Sequence, residues 1–322
     1  MTWQHRAPWW LPGGQAQTIH SALWARTHAP PEPGWLRERW DTPDQDFIDV
    51  DGLAATDPAP VLCVLFHGLE GSSRSHYAQA WADQARQLGW QLSVPHFRGC
   101  SGEINRAPRA YHSGDYEEIG WILRRMRERH AGRILAVGVS LGGNALMRWA
   151  QEAGATARKT VDAVCSVGSP LDLTASGHAI GRGFNRWIYT PMFLRTMKPR
   201  ALAKWAQYPG LFDRDALLKA RNLYEFDNLF TAPLHGFADT DDYWSRASSA
   251  PHFQCVQVPA LVINALNDPF VPAASLPGLH DVSPHVTLWQ PAQGGHVGFA
   301  EGPFPGDVRG LPRAISNWFQ AL

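Results

Sequence analysis

The feature that most constrains the fold is an alternation of short, mostly apolar runs with amphipathic segments along much of the chain. Apolar runs bounded by turn residues are typical of strands buried on both faces. We expect strands at 60–66, 91–97, 133–137, 161–167, 260–265 and 285–289. Apolar residues at helical spacing predict helices at 75–88, 115–130, 144–150 and 313–322. Strands and helices that alternate in this way form a mostly parallel central sheet with helices on both faces, so the sequence predicts an α/β fold.

The regular alternation stops in two regions. The first 35 residues are rich in Pro, Gly and Trp without a clear period, and we expect an irregular arm on the domain surface. Residues 46–51 then alternate polar and apolar, as an edge strand does. Between 172 and 250, residues recur at helical spacing with no strand-like run. We therefore expect one domain over residues 1–322, with a helical cap inserted at 172–250.

Composition narrows the classes of partner and compartment. The chain of 322 residues has 29 basic and 29 acidic residues, and this balance predicts no nucleic-acid or membrane-surface partner. No run of 18 apolar residues and no signal peptide are present, so we expect a cytoplasmic protein without stable membrane insertion. The four cysteines lack metal spacing and predict free thiols, and the 14 histidines form no metal motif. The oligomeric state stays open.

A serine between two glycines stands where a predicted strand meets a predicted helix. The pattern is Gly138-x-Ser140-x-Gly142, after the strand at 133–137 and before the helix at 144–150. In such a tight turn the serine hydroxyl stands clear of the sheet, and the helix N-terminus directs free N–H groups towards developing negative charge. The bare pattern also fits a glycine-rich turn with a solvated serine. Ser140 as nucleophile therefore depends on partners elsewhere.

A serine nucleophile needs a base, and the base needs an acid to orient it. Asp268 follows the fifth predicted strand, and His296 lies in a glycine-rich loop after the sixth. This order, with each partner at the end of a strand, predicts the catalytic triad Ser140, Asp268 and His296. The alternatives are a turn cap before Pro269 for Asp268 and an ordinary loop histidine for His296. Weaker candidates for the acid lie in the cap region: Asp239, Asp241 and Asp242.

Acyl transfer also needs two backbone N–H groups that stabilise the oxyanion. Leu141, directly after the nucleophile, supplies one. We expect Leu69 to supply the second, because it lies in the loop after an early strand. His67 in the same loop is interpreted as a structural histidine, since the base is already assigned.

Four stretches are long enough to compare with known families. They are 67–77 (HGLEGSSRSHY), 97–103 with 111–114 (FRGCSGE and YHSG), 138–144 (GVSLGGN) and 9–19 (WWLPGGQAQTI). Together they resemble the YheT-like family (AB hydrolase type 4) of the α/β-hydrolase superfamily over nearly the whole chain. In that family an Asn/Gly-His pair is usual where this chain has Gly14-Gln15. The resemblance implies an α/β-hydrolase fold and a carboxylesterase-type serine hydrolase without a cofactor.

The expected reaction is hydrolysis of a small-molecule or lipid ester with a short to medium acyl chain. Ser140 attacks the carbonyl, His296 takes its proton and later activates water, and Asp268 holds the imidazole. The alternatives are an alcohol O-acyltransferase with the same triad, lipase or phospholipase activity on lipid esters, and a binding protein on a retained fold. Epoxide hydrolase and dehalogenase chemistry is disfavoured, because those enzymes place Asp at the elbow.

Overall fold

A central sheet of eight strands organises the computed structural model, which describes residues 3–27, 32–53 and 60–322. The spatial order is β1-β2-β4-β3-β5-β6-β7-β8. The strands are β1 (Leu36–Asp41), β2 (Phe47–Leu53), β3 (Val61–Phe66), β4 (Gln91–Pro95), β5 (Arg133–Val139), β6 (Ala163–Val167), β7 (Ala260–Ile263) and β8 (Val286–Trp289). β2 pairs antiparallel with both β1 and β4, and the six strands from β4 to β8 run parallel.

Helices cover both faces of this sheet. The helices outside the β6–β7 connection are α1 (Gly13–Leu23), α2 (His76–Leu88), α3 (Tyr116–Arg129), α4 (Leu141–Ala153) and α11 (Gly310–Gln320). Apolar side chains of α3 and α4 share one buried cluster with the sheet, and those of α2 and α11 share a second. Every residue of β3 is buried, as its continuous apolar run predicts. The predicted α/β-hydrolase architecture is therefore confirmed.

The connection between β6 and β7 is helical. It contains α5 (Leu173–Ile180), α6 (Gly183–Gln207), α7 (Arg214–Lys219), α8 (Leu223–Phe226), α9 (Ala232–Leu234) and α10 (Thr240–Ala247). This connection buries an apolar cluster of its own, which includes Leu194, Phe212, Leu217, Phe226 and Phe230. No helix in the described ranges is long and apolar enough to cross a membrane.

The expectation of an irregular arm over the first 35 residues is wrong, because residues 13–23 form α1. The buried face of α1 carries Gln17, Thr18 and Ser21, so the helix has no apolar stripe for a periodicity argument to detect. β1 was also not expected. Only Trp40 of its six residues is buried, so β1 lacks the apolar run that marks the inner strands.

Candidate active site

Ser140 occupies a strained turn between β5 and α4. Its backbone has φ 53° and ψ −120°, a conformation that L residues adopt rarely. The turn is tight enough to require glycine on both sides. A Cβ atom on Gly138 would lie 2.5 Å from the carbonyl oxygen of Gly142, and one on Gly142 would overlap the carbonyl oxygen of His67. The flanking glycines are thus a steric requirement of this turn.

The structure brings Asp268 and His296 to this serine. His296 Nε2 lies 3.0 Å from Ser140 Oγ, and His296 Nδ1 lies 2.9 Å from Asp268 Oδ2. The second oxygen of Asp268 accepts the backbone N–H groups of Phe270 at 2.7 Å and Val271 at 3.3 Å. Asp268 therefore acts as a turn cap and also reaches the histidine. A buried carboxylate on Nδ1 holds the proton there, which leaves Nε2 free to accept the serine proton.

The weaker acid candidates of the cap region lie elsewhere. The Asp239 carboxylate accepts the Asp242 N–H at the start of α10. Asp241 accepts the hydroxyl of Tyr224, and Asp242 pairs with Arg246. None of the three contacts His296, so the geometry leaves Asp268 as the carboxylate of this site.

The backbone N–H of Leu69, in the loop after β3, differs from those of its two neighbours. The N–H groups on either side of Leu69 are both occupied, because Gly68 donates to the hydroxyl of Tyr77 at 2.9 Å and Glu70 donates to that of Tyr111 at 3.0 Å. No acceptor for the Leu69 N–H occurs within residues 3–27, 32–53 and 60–322. A Cβ atom on Gly68 would lie 3.2 Å from the Cβ of Ser140, so this loop is adjacent to the serine.

Leu141 is the first residue of α4, so its N–H has no acceptor within the helix. Leu69, Leu141, Ser140 and His296 all line the same cleft. Neither N–H has an acceptor among the residues that the structure describes, and two such donors beside a histidine-bound hydroxyl are the groups that acyl transfer needs.

His67 holds the loop after β3 in place; we call this loop, which carries Leu69, the donor loop. Its ring is fully buried, with Nε2 accepting the N–H of Phe97 at 3.0 Å and Nδ1 donating to the carbonyl oxygen of Gly68 at 2.8 Å. Burial lowers the pKa of His67 to about 3, so the ring is neutral near pH 7. Both ring nitrogens are occupied, which agrees with the interpretation of His67 as a structural residue.

Helix α1 holds the loop that carries His296. The backbone N–H of His296 donates to Thr18 Oγ1 at 2.8 Å, and the Thr18 hydroxyl donates to the carbonyl oxygen of Gly14 at 2.7 Å. Gln17 Oε1 accepts the Gly294 N–H at 2.9 Å. Since Thr18 and Gln17 are buried, these bonds are shielded from water.

The same helix also holds the loop of Asp268. Asn267 donates its amide to Gln17 Oε1 at 2.9 Å and accepts the N–H of Gly295 at 3.0 Å, so it joins the two loops. A Cβ atom on Gly14 would overlap the carbonyl oxygen of Asn267, so α1 packs directly against this loop. The periodicity argument missed these positioning residues. Only the motif at 9–19 pointed to the segment.

The cleft above Ser140 is apolar and roofed by the helices of the β6–β7 connection. It has about 1090 Å³ of space, counting the part open to solvent at its mouth. Its apolar lining includes Leu173, Ile180, Phe193, Met197, Phe226 and Phe230. One carboxyl group inside it is Asp227, which accepts the Thr231 hydroxyl at 2.6 Å and the Trp244 indole N–H at 2.9 Å. Burial raises the pKa of Asp227 to about 6.

No group of three or more His, Cys, Asp or Glu side chains that could hold a metal ion occurs in the part of the chain that the structure describes.

Comparison with known proteins identifies the family. A family model described as alpha/beta hydrolase fold matches residues 61–303. YheT of Escherichia coli, which is named as a candidate esterase, is 39% identical over 292 residues, which cover 89% of this chain and 84% of that protein. Human phospholipase ABHD3 is 28% identical, with 90% of this chain and 69% of that protein covered. The yeast monoacylglycerol lipase is 28% identical, with 85% of this chain and 61% of that protein covered.

Solved structures with this fold are more distant in sequence. Mouse alpha/beta hydrolase domain-containing protein 10 superposes with a TM-score of 0.55 at 14% identity, over 89% of this chain and 99% of that one. A bacterial membrane phospholipase A gives a TM-score of 0.57 at 14% identity, over 90% and 87% of the two chains. These two likenesses concern the fold. The chain belongs to the α/β-hydrolase family, as its resemblance to YheT-like proteins predicts, and it is a hydrolase.

Proposed function

We propose that this hydrolase is a serine esterase that cleaves carboxylic esters of short to medium acyl chains through an acyl-enzyme on Ser140. The observation that carries the proposal is the continuous series of hydrogen bonds from Ser140 Oγ through His296 to Asp268, at 3.0 and 2.9 Å, beside an apolar cleft. A serine that is only a solvated turn residue does not need a histidine held by a buried carboxylate.

In the first half of the reaction Ser140 is acylated. Its Oγ attacks the carbonyl carbon of the ester while His296 Nε2 takes the hydroxyl proton. The carbonyl oxygen becomes an oxyanion and accepts the N–H groups of Leu69 and Leu141. The intermediate then collapses, and the C–O bond to the alcohol breaks as Nε2 returns its proton to the leaving oxygen. Asp268 stabilises the imidazolium and keeps the proton on Nδ1.

In the second half water removes the acyl group. His296 Nε2 takes a proton from water, whose oxygen attacks the acyl carbon, and the oxyanion again lies between Leu69 and Leu141. The acid leaves when the bond to Ser140 Oγ breaks and Oγ regains its proton. The enzyme returns to its starting state without a cofactor.

The cleft favours an acyl group over a polar group. Its lining is largely apolar, and each buried methylene contributes about 0.8 kcal/mol to binding. Relatives are named phospholipase and monoacylglycerol lipase, so lipid esters are a second class of candidate substrate. Acyl transfer to an alcohol is a third outcome of the same chemistry, because an apolar cleft restricts water.

A matched pair of serine variants tests the proposal. Ser140→Ala is expected to lower kcat for p-nitrophenyl butyrate by about 10⁴-fold or more and to abolish labelling by a fluorophosphonate probe. Ser176→Ala is the control, because Ser176 also lines the cleft and its hydroxyl has no hydrogen-bond partner among the described residues. It should keep wild-type turnover and labelling. Wild-type turnover in Ser140→Ala would show the proposal to be wrong.

A series of p-nitrophenyl esters from acetate to palmitate then defines the acyl chain. We expect kcat/KM to rise from acetate to a medium chain and to fall for palmitate. A maximum at palmitate would instead favour lipid esters. Added alcohol that converts the product from free acid to a new ester would identify acyl transfer.

A further inference from the structure

The first half of helix α6 exposes the face that a surface helix normally buries. Apolar residues recur there at positions i, i+3, i+4, i+7 and i+8, the spacing that usually faces a protein core. These residues form what we call the α6 stripe: Phe184, Trp187, Ile188, Pro191 and Met192. Phe184 is 53% exposed, Trp187 75%, Ile188 43% and Met192 51%. Four large apolar side chains on one exposed helical face mark an interaction surface.

Hydrogen bonds on the opposite face fix this orientation. Asn185 accepts the amide N–H of Gln15 at 2.8 Å and donates its own amide to the carbonyl oxygen of Pro269 at 2.5 Å. Tyr189 donates its hydroxyl to Gln15 at 2.7 Å, and Thr190 donates to the carbonyl oxygen of Ile180 at 3.0 Å. Because all these groups would lose their partners if α6 rotated, the stripe stays exposed in the folded protein.

The charged residues of helix α6 all have the same sign. Helix α6 contains five Lys or Arg residues and no Asp or Glu along Gly183–Gln207. Arg182, Arg186 and Arg195 are exposed, and none of them makes an ion pair with the described residues. The zero net charge of the whole chain therefore hides a local excess of positive charge beside exposed Trp and Phe.

This combination distinguishes between possible occupants of the stripe. In a two-fold dimer the same patch lies on both subunits, so the unpaired arginines of the two copies would face each other. An anionic lipid surface offers negative charge outside and apolar chains just beneath it. Trp at the headgroup level and Arg side chains towards phosphate are the usual arrangement of a helix that lies in this interface.

We propose that the α6 stripe docks on the surface of a bilayer that contains anionic phospholipid, with the helix parallel to the surface. The inner face of the same helix carries Phe193 and Met197 into the cleft. Docking therefore places a lipid surface next to the roof of the cleft. The docking proposal concerns binding and does not depend on the ester hydrolysis proposed above.

Co-flotation with vesicles tests this proposal. The full chain carrying Ser140→Ala, which cannot consume lipid through this serine, is mixed with vesicles of phosphatidylcholine alone or of phosphatidylcholine with phosphatidylglycerol. We expect binding to the anionic vesicles, weaker binding at high salt and little binding to neutral vesicles. Replacing Arg182, Arg186 and Arg195 by Gln should weaken binding about 100-fold, and Phe184→Ser with Trp187→Ser at least about tenfold.

Matched controls lie on other elements. Leu279→Ser removes an apolar side chain that is 76% exposed, as exposed as Trp187. The triple variant Arg6→Gln, Arg74→Gln and Lys159→Gln removes three exposed positive charges. These variants should bind vesicles like the parent protein. Each stripe substitution, made with Ser140 intact, should leave turnover of a water-soluble ester unchanged, which shows that the fold is preserved.

Three results would overturn the proposal. The first is no binding of the parent protein to anionic vesicles at low salt. The second is equal loss of binding in the stripe and control variants. The third is a stable dimer in light scattering that becomes monomeric when the stripe is substituted, because a second copy would then be the partner.

Discussion

Helix α1 makes a prediction about catalysis that a single hydroxyl can test. Thr18 Oγ1 accepts the backbone N–H of His296 at 2.8 Å and donates to Gly14 at 2.7 Å. Thr18→Val keeps the shape of the side chain and removes both bonds. Each lost bond costs about 1 kcal/mol, and the buried N–H of His296 is left without a partner, so we expect a loss of about 2 to 3 kcal/mol in the free energy of unfolding.

The effect on catalysis should exceed what stability alone explains. His296 Nε2 must stay 3.0 Å from Ser140 Oγ, and a misplacement of about 1 Å can lower a rate about 100-fold. We expect kcat for p-nitrophenyl butyrate to fall about 10- to 100-fold, with a smaller change in KM. The rate of fluorophosphonate labelling should fall in parallel, because it reports the same serine and histidine.

Two variants of α1 separate positioning from packing. Thr18→Ser keeps the hydroxyl and should retain most of the activity. Ser21→Ala removes a buried hydroxyl of the same helix that has no hydrogen-bond partner among the described residues, and should keep kcat. Urea unfolding reports the stability of each variant. The reasoning is refuted if folded Thr18→Val turns over the ester as fast as Ser21→Ala.

The other two predictions concern the donor loop and the cleft. Tyr111→Phe removes the hydroxyl that accepts the Glu70 N–H at 3.0 Å and donates to the Glu70 carboxylate at 2.8 Å. The Leu69 donor should then lose its position, and kcat should fall about tenfold in steady-state assays. An unchanged kcat would argue against Leu69 as donor. Burial raises the pKa of Asp227 to about 6, so its stabilising contribution is complete below its unfolded pKa near 4 and is lost as pH rises through 6. Asp227→Asn can still accept the Trp244 indole N–H. In urea unfolding this variant should be up to about 3 kcal/mol more stable than the wild type at pH 8 and nearly equal to it at pH 4. Equal stability of the two proteins at both pH values would contradict the raised pKa.

Much of the fold could be predicted from sequence because the inner strands have no polar face. β3, β5, β6 and β7 are apolar runs buried on both sides, and the loops at their ends carry chemistry in a fixed chain order. Asp268 follows the buried strand β7 and His296 follows the half-buried strand β8, and these positions were sufficient to expect both residues near Ser140. In the structure His296 lies within hydrogen-bond distance of both Ser140 and Asp268.

Periodicity did not predict α1, and it does not identify the buried face of α6 inside the predicted helical cap, because the buried faces of both helices are polar. α1 buries Gln17 and Thr18, and the start of α6 buries Asn185 and Tyr189, so both helices bury side chains by hydrogen bonding. Whether a helix buries its apolar stripe or its polar face depends on hydrogen-bond partners far away in the sequence. A periodicity argument considers only a short stretch of sequence and does not contain those partners. Applied to α6, the apolar spacing points to the wrong face.

The polar faces of α1 and α6 meet at Gln15, and this contact links the proposed docking surface to the candidate site. Gln15 bonds to Asn185 and Tyr189 of α6, and Asn185 reaches the carbonyl oxygen of Pro269, next to Asp268. The bonds that turn the α6 stripe outward are thus the same bonds that tie the cap helix to the loop of the carboxylate. A movement of α6 at a lipid surface would have to break them or carry that loop with it. Helix α6 and the loop of Asp268 therefore share one hydrogen-bond network, which runs through Gln15 and Asn185 on the face of α6 opposite the stripe.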